Sequence, residues 1–169
     1  IDISHHSGSN PKAGIIRFNI NGPDKKLYRA YNIPEELGGN DPGSIAYAIN
    51  KRLEKEDENP NILLVDGGKA QLNALTTKIK NTDILLLAIE KGSQRKVLTE
   101  NIYSINGQES IEVNSRLFNL LIKARNEAHR FAIKANRNAK RVNMKVSILD
   151  SIKGIGPKTK ERLFNEFKS

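Results

Sequence analysis

Three residues far apart in the chain have the right chemistry to hold a divalent cation. Asp2 sits in the apolar opening IDISHH, Asp66 closes the run NILLVD directly before Gly67 and Gly68, and His129 stands in the middle of IKARNEAHRFAIKANRNAKR. Mg²⁺ and Mn²⁺ take oxygen ligands, keep several waters and bind substrate phosphate directly, so a pair of carboxylates suits such an ion. An imidazole beside them either completes the coordination or handles a proton near neutral pH. Each residue also has a plainer role. A strand-ending Asp before two glycines shapes a turn or caps the next helix, an acid near a chain end is often a surface group, and a lone helical histidine is more often structural. The two aspartates share a cleft if the strand ending in Asp66 runs parallel to the strand holding Asp2, because functional groups collect beyond the carboxyl ends of parallel strands.

The elements predicted around these residues allow that pairing. The opening segment and two alternating runs, 13–20 and 26–32, joined by a turn containing Gly22 and Pro23, read as an antiparallel meander of three strands. A helix follows from Gly43, with Ile45, Ala48, Ile49 and Leu53 on one face and Asp41 near its start as a cap. NILLVDGG and DILLLAIEKG are short, nearly continuous apolar runs, as in parallel strands buried on both faces. KAQLNALTTKIK between them reads as a second helix. Residues 93–114 are polar and read as an excursion or hairpin. A further helix is predicted over 115–135, with Leu117, Leu120, Leu121, Ala124, Ala128, Phe131 and Ala132 as its buried stripe and His129 at the border, facing a cleft. Strand, helix, strand and helix after a meander predict an α/β fold: a mixed sheet with flanking helices.

Charge points to the partner. The formal net charge is +9, and over 116–169 there are 14 Lys or Arg against 4 Asp or Glu. Concentrated positive charge favours a polyanion, since each neutralised phosphate releases condensed counterions, while a basic patch alone fits a solvated surface kept for solubility equally well. The segment SILDSIKGIGPKTKERLFNEF reads as a short apolar helix, a Gly-Ile-Gly-Pro hairpin at 154–157 and a basic amphipathic helix carrying Leu163, Phe164 and Phe167. Backbone amides exposed in such a hairpin contact DNA phosphate without reading base sequence. Gly67 and Gly68 likewise permit close backbone approach at a helix start, where Lys69 adds a charge, although neither the dinucleotide nor the P-loop fingerprint is present. With no cysteine, disulfides and thiolate zinc sites are excluded and a cytoplasmic setting is expected. No apolar run approaches the roughly 20 residues of a membrane span and no signal-like start is present, so a soluble protein is expected. The abrupt apolar start predicts that the chain begins inside a longer protein.

Four motifs in order, DISH (2–5), VDGGKAQLNA (65–74), EAHRFAI (127–133) and LDSIKGIGPKTKERLF (149–164), make nearly the whole chain resemble the C-terminal half of the UvrC family, the nuclease subunits of bacterial nucleotide excision repair. The resemblance implies a ribonuclease-H-like endonuclease domain over 1–144, followed by the first hairpin of a truncated helix-hairpin-helix DNA-binding domain over 145–169. It implies a Mg²⁺- or Mn²⁺-dependent endodeoxyribonuclease that nicks the damaged strand of double-stranded DNA on the 5′ side of a lesion, with UvrB, and UvrA upstream, as partners. The family's catalytic and metal-binding residues map onto Asp2, Asp66 and His129, with an auxiliary acid at Asp41. DNA contacts are expected at Lys69, Gln71, Lys91, Arg125, Arg130, Arg137, Gly154, Gly156 and Lys158. Ala70, Asn126 and Asn136 stand where the family usually has Gly, Asp and often His, and none of these changes removes a proposed ligand. The family's N-terminal nuclease domain, its UvrB-contacting segment and its second hairpin are not in this sequence, which predicts a fragment weakly active or inactive alone. Two rival readings remain. A non-enzymatic DNA-binding module would bind without metal dependence, and another ribonuclease-H-like nuclease such as a junction resolvase would differ in substrate.

Overall fold

The computed structural model describes residues 1–6, 9–19, 21–55, 59–79, 82–91, 100–113 and 115–166. The chain divides into two compact units, Ile1–Asn136 and Arg137–Ser169.

In the first unit, β1 (Asp2–His6) pairs antiparallel with β2 (Ser9–Ile15). A two-residue ladder of β3 (Phe18–Asn19) and β4 (Gly22–Pro23) precedes β5 (Arg29–Asn32), which pairs antiparallel with β2. The meander is present, but its second strand starts earlier and both strands are shorter at the turn than the alternation predicts. Lys25–Leu27 is a 3₁₀ turn rather than strand. The Asp24 amide donates to the Arg17 carbonyl and the Leu27 amide to the Asp24 carbonyl, so groups that a ladder would need are satisfied locally.

The next elements are α1 (Asp41–Leu53), β6 (Ile62–Asp66), α2 (Lys69–Ile79), β7 (Leu85–Lys91), β8 (Glu100–Ser104) and β9 (Gly107–Glu109). The cap of α1 is Asn40, whose side chain accepts from the Gly43 amide at 3.0 Å, and Asp41 is the first helical residue instead. Strands β6 to β9 form a sheet in chain order, the β6–β7 pair parallel and the others antiparallel. The polar stretch after β7 therefore contains a hairpin, β8–β9, while 92–99 lie outside the described residues.

Two backbone hydrogen bonds bring the sheets together. The Ile1 nitrogen donates to the Leu64 carbonyl at 2.7 Å, and the Asp66 amide donates to the Ile1 carbonyl at 2.9 Å. Bonds that flank one residue, here Val65, in this way are the parallel pattern. Ile1 thus lies opposite Val65, and Asp2 follows on beside Asp66. Because side chains alternate along a strand, both acids emerge on the same face.

The opposite face is packed by α1 and α2, whose Ile45, Ile49, Leu72 and Leu75 meet Ala13, Ile15, Val65 and Ala88 in one core. The acid-bearing face is covered by α3 (Arg116–Ser151), where Phe118 and Leu121 meet Leu87, Ile89 and Ile102. The helix comes very near the sheet at Gly14, the register partner of Asp2. A Cβ on Gly14 would fall 2.8 Å from the Cβ of Ala132 and 2.9 Å from its backbone, so only glycine lets the helix come this near. The buried stripe of α3 is Phe118, Leu121, Arg125, Ala128, Ala132 and Asn136. Leu117 and Leu120, predicted to be buried, are 46% and 48% exposed. The stripe is set by the small residues that must meet β2, and extending it backwards in steps of three and four reaches Phe118 rather than the leucines beside it.

Helix α3 does not stop near residue 135, as the sequence reading has it, but runs to Ser151. No Gly or Pro interrupts it until Gly154 and Pro157, so nothing in the backbone requires an earlier end. In the second unit the helix gives way to a turn in which Gly154 has φ of +97° and the Ile155 amide donates to the Ile152 carbonyl. A second helix, α4 (Pro157–Glu166), begins with proline at its first position, where a missing N–H costs nothing. Phe167 lies outside the described residues. Among those described, no helix is long and apolar enough to cross a membrane.

Candidate metal centre

Asp2, Asp66 and His129 converge. One potential ligand atom from each lies within 4.8 Å of the others, and His129 Nδ1 is 3.0 Å from Asp2 Oδ2. Strands β1 and β6 deliver the acids from below, and α3 delivers the imidazole from above. Asp2 is almost fully buried, whereas the His129 side chain is 55% exposed, so the carboxylate forms the floor and the imidazole the mouth.

The acids disturb one another. Burial, and then the charge of Asp2, push the Asp66 carboxyl above its ordinary range, while Arg125 and His129 pull it back. Two carboxylates crowded together in a half-buried place repel, and a cation between them removes that repulsion. Two hard oxygen donors and one imidazole are a donor set suited to Mg²⁺ or Mn²⁺, so the residues present fit the expected ion.

Beside the cluster opens a cleft of about 280 Å³ lined by Asp66, Gly67, Glu90, Lys91, Arg125, Asn126 and His129. Its rim is shaped by the turn after β6. Gly67, at φ of +143°, donates its amide to the Ile89 carbonyl, and the Gly68 amide donates to Gln71 Oε1 at 3.1 Å. Gln71 therefore closes the turn that presents Asp66. Lys69 is exposed at the start of α2, its Nζ 5.2 Å from the centre of the Tyr103 ring.

The other expected positions are spread more widely. Lys91 is exposed on the cleft. Arg130 is exposed but held by Glu127 through two contacts of 2.7 Å, and Glu127 also accepts from the Tyr28 hydroxyl at 3.1 Å. The Arg130 hydrogen bonds hold the Glu127 carboxyl below its usual range, whereas burial and the bond to Glu127 push the Tyr28 hydroxyl up to about 12. Asp41 stands at the start of α1 and is not one of the three clustered residues. Arg137, Gly154, Gly156 and Lys158 belong to the second unit, where all four are exposed. Arg125 is the surprise. It is 7% exposed, its Nη1 lies 2.6 Å from Glu100 Oε2, and its Nη2 donates to Asn126 Oδ1 at 2.8 Å. Sequence reasoning overlooked Glu90 and Glu100. Neither belongs to a motif, and Glu100 lies within the polar stretch 93–114, where the reading as an excursion or hairpin singled out no residue.

Comparison with known proteins identifies the family. A family profile described as the UvrC RNase H endonuclease domain matches residues 1–133. The chain is 38% identical to the UvrABC system protein C of Shewanella frigidimarina over 96% of its own length and 28% of that protein. It is 35% identical to those of Nitrosococcus oceani and Pseudomonas putida, over 96% and 98% of its length. It thus spans somewhat more than a quarter of the curated relatives it matches.

Proposed function

Because the chain belongs to the UvrC RNase H endonuclease family, we propose that Asp2, Asp66 and His129 form a divalent-metal nuclease centre. It cuts a phosphodiester bond on the 5′ side of a lesion in double-stranded DNA, as part of a UvrABC system in the cytoplasm. The observation that carries this reading is the convergence of three ligand atoms within 4.8 Å at the edge of an open cleft. A cation held there supplies Lewis-acid polarisation of a phosphoryl oxygen and lowers the pKa of an attacking water. Asp2 and Asp66 provide its oxygen ligands. His129, paired with Asp2 and half open to solvent, serves as a third ligand or moves a proton at its ring nitrogen.

Substrate binding falls to the basic surfaces. Lys91 neutralises backbone charge at the cleft, while Gly154, Gly156 and Lys158 offer amides and a cation to duplex phosphates without reading sequence. Lesion choice and delivery fall to UvrB, with UvrA upstream.

The test is nicking of lesion-containing duplex by the chain supplied with UvrA, UvrB and Mg²⁺ or Mn²⁺. Asp66→Ala is expected to abolish the 5′ nick, as is chelator, while DNA binding persists. Nicking that survives both changes would show that cleavage does not run through these acids and a metal, and binding without any nicking by the parent chain would reduce it to a DNA-binding module.

A further inference from the structure

The pair of Arg125 and Glu100 is the most buried charge arrangement near the cleft, with side chains 7% and 8% exposed. Arg125 is one helical turn before His129 on α3, so both side chains lie on the same side of the helix, and both line the cleft with Asp66. Glu100 opens β8, opposite Lys91 of β7, and thereby reaches Arg125 from the sheet. The contact is an ion pair at 2.6 Å rather than a well-angled hydrogen bond, since neither Nη1 nor Oε2 finds a hydrogen-bond partner. On the other side of the guanidinium, Nη2 and Nε both donate to Asn126 Oδ1. The group is therefore contacted from two directions and is buried, unlike a surface arginine free to follow a DNA backbone.

We propose that Glu100 is a positioning residue that fixes the Arg125 guanidinium in the cleft wall, where its permanent charge stabilises negative charge building on the phosphoryl group during cleavage. This deepens the nuclease reading above and rests on it. A fixed charge shielded from water acts much more strongly than an exposed one and needs no reorganisation when the reaction occurs. Arginine suits the task, because it stays protonated and its planar fork can be held rigidly. The proposal also separates Arg125 from the groove-gripping role that its place in a basic helix suggests. Lys91 and Arg125 line the same cleft, yet the first is expected to act on affinity and the second on rate.

The experiment is steady-state nicking and DNA binding by the complete UvrABC system with variants of this chain. Arg125→Gln and Glu100→Gln are each expected to lower kcat by roughly 10²-fold, the usual scale for one preorganised electrostatic group, with less than about a threefold change in KM or in DNA affinity. The salt dependence of binding is expected to stay as it is. Each single change strands a buried charge and lowers stability, so the double change Glu100→Met with Arg125→Met separates folding from chemistry. Replacing both members of a buried pair by apolar residues commonly restores stability. The double variant is expected to recover its Tm but not its kcat, whereas Arg125→Lys, which keeps the charge, is expected to recover part of kcat. Wild-type kcat in the double variant would overturn the proposal, as would a loss confined to KM in the single variants. Should the double variant fold poorly, Arg125→Lys against Arg125→Gln at a temperature where both are folded decides: equal kcat for the two refutes a role for the charge. Asp66→Asn run alongside separates the two readings, since its cleavage at the wild-type rate would sink the metal centre itself, whereas an inactive Asp66→Asn beside a fully active double variant would sink the ion-pair proposal alone.

Discussion

Asp66 is held above the ordinary carboxylate range, first by burial and then by Asp2, so the folded chain binds a proton there more tightly than the unfolded chain does. Linkage then fixes the sign. Ionised Asp66 costs no stability below its unfolded pKa and costs progressively more as pH rises from there through its raised folded value. In chelator, Asp66→Asn should therefore melt at a higher temperature than the parent at pH 7, and the advantage should shrink as pH is lowered towards the unfolded carboxylate pKa. Adding Mg²⁺ should raise the Tm of the parent by binding the native state and leave the variant unmoved. Calorimetry across pH with and without the ion checks both. A variant less stable than the parent at pH 7 would mean that Asp66 is a structural acid. Asp2, Asp66 and His129 were legible as candidates because two acids and an imidazole make a donor set for a hard cation, although each alone had a plainer role. Glu100 was not, because an acid in a polar stretch has no signature until the arginine it meets is known.

At the scale of elements, the centre depends on how closely α3 approaches β2. Gly14→Val would drive side-chain atoms into the backbone of Ala132, which a Cβ would already approach to 2.9 Å. Overpacking of this kind costs about 1–3 kcal/mol, and here it would also lift His129 away from Asp2. The variant should show a lower Tm together with weaker Mn²⁺ binding by titration. Asn40→Ala serves as the contrast. Loss of the side-chain cap on α1 should cost about 1 kcal/mol while Mn²⁺ binding stays unchanged, because α1 packs on the other face of the sheet. Element types were readable from periodicity, but phase and length were not. The leucines of α3 drew the apolar stripe one step away from Phe118, and the continuous helix was divided near residue 135 although no Gly or Pro required a break there. Only the neighbour that a helix packs against decides which of two overlapping faces is buried.

Over the whole molecule, the formal charge of +9 bears on the proposed contact with DNA. Binding should weaken steeply with salt, and Lys91→Ala and Lys158→Ala should each reduce the salt slope by about one and weaken binding similarly across DNA sequences. Filter binding or anisotropy at several salt concentrations checks this, and an unchanged slope for both would place the DNA path elsewhere. What the amino-acid sequence determined by itself was local or additive in its physics: charge, the lack of thiols, the period of apolar residues, the turn-forming glycines and a set of motifs. The tertiary structure decided what depends on distance. The pairing of Ile1 with Val65 places Asp2 and Asp66 on one face, the absence of a side chain at Gly14 brings His129 down to them, and Glu100 takes Arg125 out of solvent. Each of these joins residues far apart in the chain, and such contacts follow from sheet register and interhelical approach, which no stretch of sequence specifies alone.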